Sequence, residues 1–186
     1  MTPKKIFAAT GALALTATMA LAAMDNPMVG GAEMYPEKNI IENAVNSADH
    51  ETLVAAVKAA GLVETLQGKG PFTVFAPTDA AFGMLKDGAV EALLEPEAKK
   101  QLTQILTCHV VGADAMAMAI KGMIDDDGGM HIVPTLGGCE LKATYSGDKI
   151  MLEDERGRVI NVTIADVKQS NGVIHVVDRV ILPPRP

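Results

Sequence analysis

Reactive side chains in this sequence gather at two places. Cys108 and His109 are neighbours in ILTCHVV, and His175 stands among branched apolar residues in NGVIHVVDRVILPP. A thiol beside an imidazole is the raw material of a nucleophilic enzyme, and a lone imidazole serves as a general base or metal ligand. Side-chain direction argues against both uses. Neighbours at a helix-to-strand exit point apart, so Cys108 and His109 do not face each other. Asp178, the acid nearest His175, falls on the opposite face of the extended segment, and the chain has no G-x-S-x-G elbow. Val173, His175, Val177 and Ile181 share one face of that segment, while Ile174, Val176, Val180 and Leu182 share the other. A strand apolar on both faces belongs at the centre of a two-sided core, which makes His175 an internally hydrogen-bonded core residue.

Other groups fail as chemistry for equally local reasons. Asp125 to Asp127 begin like a calcium loop, but Gly129 stands at its fifth position and Leu136 at its twelfth, where oxygen ligands are needed. Glu153 to Arg158 read as a charged hairpin tip without the cleft a glycosidase carboxylate pair requires. Asn161-Val162-Thr163 is formally a glycosylation sequon, placed in mid-strand. Thioethers are soft ligands for Cu(I). Met116 and Met118 lie on different sides of a helix, which leaves Met24, Met28 and Met34 of the N-terminal arm as the set that geometry allows. No metal or other cofactor is expected.

The chain has 186 residues, 48% hydrophobic and 21% charged, the balance of one globular domain. Aromatics are 3% with no Trp, so the core is built from Val, Ile, Leu, Ala and Met, and a base-stacking surface is excluded. A formal net charge of -7 argues against nucleic acid as a partner. Residues 1–22 read as a secretory signal peptide: two lysines, a short apolar run, then Ala20-Leu21-Ala22. No segment is apolar for long enough to predict a membrane span. Export to an oxidising compartment favours a disulfide between Cys108 and Cys139, the only two cysteines, with free buried thiols or metal ligation as the alternatives.

Residues 23–37, with paired glycines, read as an N-terminal arm or tether. From Asn39, helical spacing predicts two short amphipathic helices, the second capped by Ser47 or Asp49 and ended by Gly61. Phe72 to Phe75 form a strand stopped at Pro77, and Thr78 or Asp79 caps the helix that follows. Three more short helices lead to Asp125. From His131 the period becomes two, predicting β-hairpins in series up to Pro183. The layout is α+β, helices first and sheet last.

FTVFAPTDAAF and, about 90 residues later, NGVIHVVDRVILP resemble the two signature boxes of the fasciclin domain family. ILTCHVV between them resembles the family's helix-end segment, with Cys108 where Tyr is usual. The resemblance spans residues 38–184. It implies a seven-stranded β-wedge packed with several short helices. It also implies a non-enzymatic exported module that mediates cell-surface or extracellular-matrix adhesion, in the periplasm or outside the cell. Partners would be a protein or a cell-surface or matrix component, and the expected state is a monomer or weak homo-oligomer. The alternative reading is a periplasmic small-ligand or copper-handling protein. By the same resemblance Thr78, Asp79, His109 and His175 are structural core, and Asp166-Val167 corresponds to a pair credited with partner recognition. His109 is expected to hydrogen-bond to the Thr78-Asp79 cap, and Cys108, in place of Tyr, is free to bridge to Cys139.

Overall fold

A computed structural model describes residues 26–185 of the chain. The signal-peptide reading and Met24 lie outside the described residues.

Strand β3 (Phe72–Pro77) and strand β9 (Gly172–Val177) pair in parallel, with Phe75 opposite His175. They sit side by side in a seven-stranded sheet that runs, edge to edge, from β4 (Val110–Val111) through β3, β9, β8 (Val159–Gln169), β7 (Lys149–Glu153) and β6 (Glu140–Ser146) to β5 (His131–Pro134). All other neighbours are antiparallel. Two-sided burial of the central pair follows from its sequence. Val74, Ala76, Ile174 and Val176 point to one hydrophobic cluster, and Phe75 and Val177 to a second.

The first cluster is covered by helices. These are α1 (Ile40–Ala44), α2 (Glu51–Ala60), α3 (Val63–Gln67), α4 (Asp79–Gly83) and α6 (Lys99–Thr107), with α5 (Ala89–Leu94) at the rim. Leu102, Ile105 and Leu106 are the buried stripe of α6, as their spacing predicts. Helix α7 (Ala117–Asp126) covers the second cluster with Ile120 and Ile124. Gly61 ends α2 with a φ of 74°, the left-handed turn a β-carbon would disfavour.

The start of α2 differs from the sequence expectation. Neither Ser47 nor Asp49 caps it. The Asp79 carboxylate reaches across from α4 and accepts the N–H groups of Thr52 at 2.8 Å and Glu51 at 3.3 Å. In return the Asp79 N–H donates to the Asp49 carbonyl at 2.8 Å. Thr78 caps α4 itself, accepting the Ala81 N–H. One Thr-Asp pair thus starts two helices, which places an anion at two positive helix ends.

The segment read as a tether is packed, not trailing. It folds into a two-stranded hairpin, β1 (Met28–Val29) and β2 (Ala32–Glu33), and buries Val29 and Met34 in the first cluster. Asn43 holds its base, accepting the Tyr35 N–H and donating to the Tyr35 carbonyl. The apolar residues hidden among Gly and Pro gave no period to detect.

Strand β9 also stops earlier than the apolar run does. After Val177 the chain bends at Asp178 and Arg179 and leaves the ladder, with Val180 and Ile181 buried. Side chains supply its partners. Asp154, only 2% exposed, accepts the Leu182 N–H, Arg158 donates to the Val180 carbonyl, and Arg156 to that of Pro183. The Glu153 to Arg158 tip is therefore an anchor built on a buried Asp154–Arg158 pair rather than a solvated turn.

Cys108 and Cys139 form a disulfide with a Cα–Cα distance of 5.3 Å, tying the end of α6 to the start of β6. It closes 31 residues of chain. Replacing both cysteines with Ser should lower unfolding free energy by about 3 to 4 kcal/mol. Urea titrations of the native and variant chains at equal pH measure this, and unreduced protein should show no alkylatable thiol by mass spectrometry.

Candidate functional site

Catalysis by His109 or His175 requires a free nitrogen and a reachable acid or nucleophile. His175 has neither. Its Nδ1 accepts the Asp166 N–H at 3.3 Å, and its Nε2 lies 2.8 Å from the Ala115 carbonyl. These partners fix the tautomer: Nε2 carries the hydrogen and donates. The ring also stacks on Phe75, with centroids 5.7 Å apart. Burial lowers its pKa, opposed by the Ala115 backbone bond and by the carboxylates of Asp166 and Asp114.

Two neighbours join the same seam. Thr73 donates its hydroxyl to the Ala113 carbonyl at 2.6 Å and accepts the Ala115 N–H at 2.8 Å. The Asp166 carboxylate accepts the Ala117 N–H at 2.6 Å. The β4-to-α7 connection is thereby stitched to the sheet by Thr73, His175 and Asp166. Asp166 reaches it because β8 shifts register there, with Asp166 at a φ of 60°, a conformation Asp tolerates better than most residues.

His109 works the same way elsewhere. Its Nδ1 donates to the Ile105 carbonyl at 2.8 Å and its Nε2 accepts the Ile181 N–H at 2.9 Å. It therefore joins α6 to the tail after β9. The expected bond to the Thr78-Asp79 cap is replaced by these two, which take both nitrogens. Burial pushes its pKa down to about 4, with the Ile105 backbone bond the main opposing effect. Cys108 beside it is held in the disulfide, and no thiolate stands by the ring.

The pair put forward for partner contact is built into the fold. Val167 is fully buried, and Asp166 is half-buried with its carboxylate committed to α7. A docking partner would meet the exposed edge of Asp166, whose carboxylate is also bonded to α7. The arm's methionines are likewise separated: Met34 is core and Met28 exposed. Among the described residues no three His, Cys, Asp or Glu side chains converge as a metal site.

Sequence reasoning passed over His50. Its Nδ1 lies 2.8 Å from the Ser47 hydroxyl, and its buried Nε2 makes no hydrogen bond of regular geometry, with the Ala76 backbone near the ring. It borders a small apolar cavity of about 30 Å³ lined also by Val29, Met34, Leu53 and Val74. Burial lowers its pKa, opposed by the Ala76 backbone and by Asp49 and Asp79. Only the helix-to-helix turn at Ser47, which brings the two side chains together, signals this pair. A polar cleft of about 540 Å³, open to solvent where the β8–β9 turn meets residues 67–71, was also missed, because no motif marks it.

All three imidazoles hold depressed pKa values, so their neutral forms stabilise the fold. Above the unfolded value near 6.5 that contribution is fully present. It is lost as pH falls toward the folded values, because the unfolded chain then binds the extra protons. For His109 the loss runs from about pH 6.5 to about 4 and totals roughly 3 kcal/mol. Urea titrations across this range should show stability falling with pH. His109→Gln should be less stable at pH 7 yet lose less on acidification.

For Asp166, Asp166→Ala should cost about 1 to 2 kcal/mol and speed exchange of the Ala117 amide, while Asp166→Asn should cost less. Unchanged exchange at Ala117 in the Ala variant would contradict the assigned bond.

Comparison with known proteins agrees with this architecture. A fasciclin domain profile matches residues 48–183. The chain is 43% identical to Protein sll1483 of Synechocystis sp. over 171 residues, covering 90% of this chain and 88% of that protein. It is 32% identical over 123 residues to the cell surface glycolipoprotein MPB83 of Mycobacterium bovis, covering 66% of this chain and 48% of the relative. In fold it is similar to a FAS1 domain pair from the insect cell adhesion molecule Fasciclin I, with a TM-score of 0.71 at 19% identity, over 79% of this chain and 51% of that one.

Proposed function

The chain belongs to the fasciclin domain family, and on that premise we propose that it is a non-enzymatic exported module that helps cells or matrix components adhere. One observation carries this reading. Both nitrogens of His109 and of His175 are spent on backbone groups inside the fold, which leaves no reactive lone pair for turnover. The chemistry the sequence gathered is consumed in holding segments together, so work by surface contact remains.

The relatives support the same direction. MPB83 is named as a cell surface protein, and the fold neighbour is an adhesion molecule. Among the described residues no helix is long and apolar enough to cross a membrane. The partner is a protein or a cell-surface or matrix component, and the module acts as a monomer or weak homo-oligomer. Its acidic surface, from a formal net charge of -7, disfavours nucleic acid and anionic lipid.

Labelled full-length protein should bind saturably to cells or matrix preparations of its native setting. Cells lacking the protein should adhere or aggregate several-fold less, restored by the intact chain. Unsaturable binding together with unchanged adhesion, aggregation and biofilm would sink the proposal.

A further inference from the structure

The polar cleft beside the β8–β9 turn has a floor held in place by the backbone. Asn171 accepts the Ile40 N–H at 3.1 Å and donates to the carbonyls of Leu66 at 2.8 Å and Gly68 at 3.0 Å. The Phe72 N–H donates to the Asn171 carbonyl, and the Ser170 N–H to that of Lys38. Glycines let these strands close: a β-carbon on Gly172 would stand 1.9 Å from the Phe72 oxygen, and one on Gly70 1.9 Å from that of Asn171. Three segments distant in sequence are thus locked around one depression.

Its rim is different. Gln67, Lys69, Asp114 and Ser170 line the cleft, and among the described residues none of these side chains makes a hydrogen bond or ion pair. Each is free to bond a ligand. At about 540 Å³ the cleft lies within the range of ordinary ligand sites.

The lining selects a class by chemistry. An apolar ligand finds little apolar wall, since Pro71 is the one apolar side chain among amides, hydroxyl, charges and backbone. A polyanion meets Asp114 and the chain's net charge of -7. A metal ion meets a single carboxylate. What suits an ammonium donor, a carboxylate acceptor, and an amide and a hydroxyl that do both is a ligand whose groups also donate and accept. The geometry points to a neutral saccharide as the occupant of this cleft. The inference rests on the interaction-module reading and names its partner class: the carbohydrate of a cell surface or matrix. A rigid floor lowers the ordering cost of such a weak, hydroxyl-rich contact.

The test is isothermal titration of the full chain with a panel of neutral oligosaccharides, with inorganic phosphate and an uncharged peptide as controls. At least one saccharide should bind saturably. Lys69→Ala with Asp114→Ala should weaken it about tenfold or more, the loss of roughly one good charge-assisted hydrogen bond. Ser170→Trp, which fills the cleft from an exposed position, should abolish it with the urea midpoint unchanged. The assignment is overturned if no neutral saccharide binds, if binding ignores both variants, or if inorganic phosphate or the uncharged peptide binds the cleft as well as the saccharides do. Adhesion that persists undiminished in Ser170→Trp would overturn the cleft and leave the module reading standing. Saccharide binding without any adhesion phenotype would support the cleft and remove that reading.

Discussion

Two neutral imidazoles hold together the parts of this chain that its sheet cannot reach. The connection from β4 to α7, exposed at residues 112–114, and the tail after β9, with Val180, Ile181 and Pro183 buried, lie outside any ladder, so their backbone groups need partners other than strands. His175 serves the first and His109 the second, each as one donor and one acceptor. An imidazole suits this because its two nitrogens lie on opposite sides of a small flat ring, letting it bridge carbonyl and amide at once. The arrangement requires the neutral form. Protonated, each ring would turn its accepting nitrogen into a donor aimed at another N–H.

The remaining buried polar groups obey the same constraint. Thr73 donates and accepts at the connection, Asp154 and Arg158 pair while each also binds the tail, and Asp79 takes up two amides at the start of α2. Against this background His50 stands out, since its buried Nε2 makes no hydrogen bond of regular geometry. It borders a cavity lined by Val, Met and Leu, a small space left in a core without tryptophan.

Much of this was legible in the sequence, and the rest was not, for reasons of range. Period-two runs located the late strands, and apolar residues on both faces of the last box placed His175 in the interior. The α6 stripe and the Gly61 stop were equally local. The partners of His109 were not legible. They depend on the tail leaving the ladder at Val177, which no periodicity announces because the apolar run continues. The Asp79 reach to α2 spans 27 residues and appeared locally as an ordinary cap of its own helix. Asp154 read only as part of a charged hairpin tip because its burial comes from a segment 28 positions away. The cleft was least visible of all, being made of backbone from three places and side chains of no special type.

Interior and surface divide the hydrogen-bonding labour between them. In an enzyme the buried polar groups converge on a cavity and keep some valence unspent for substrate. Here the imidazoles, threonine and carboxylates that sequence singles out converge on the chain itself, and unspent hydrogen-bonding capacity is found at exposed Gln67, Lys69, Asp114 and Ser170. Positions held by internal bonds cannot vary without cost, whereas the rim of the cleft can change residue by residue and leave the fold unaffected. A scaffold so arranged can keep its two signature boxes and still meet different partners. On the proposed reading, recognition belongs to the part of the sequence that carries no signature.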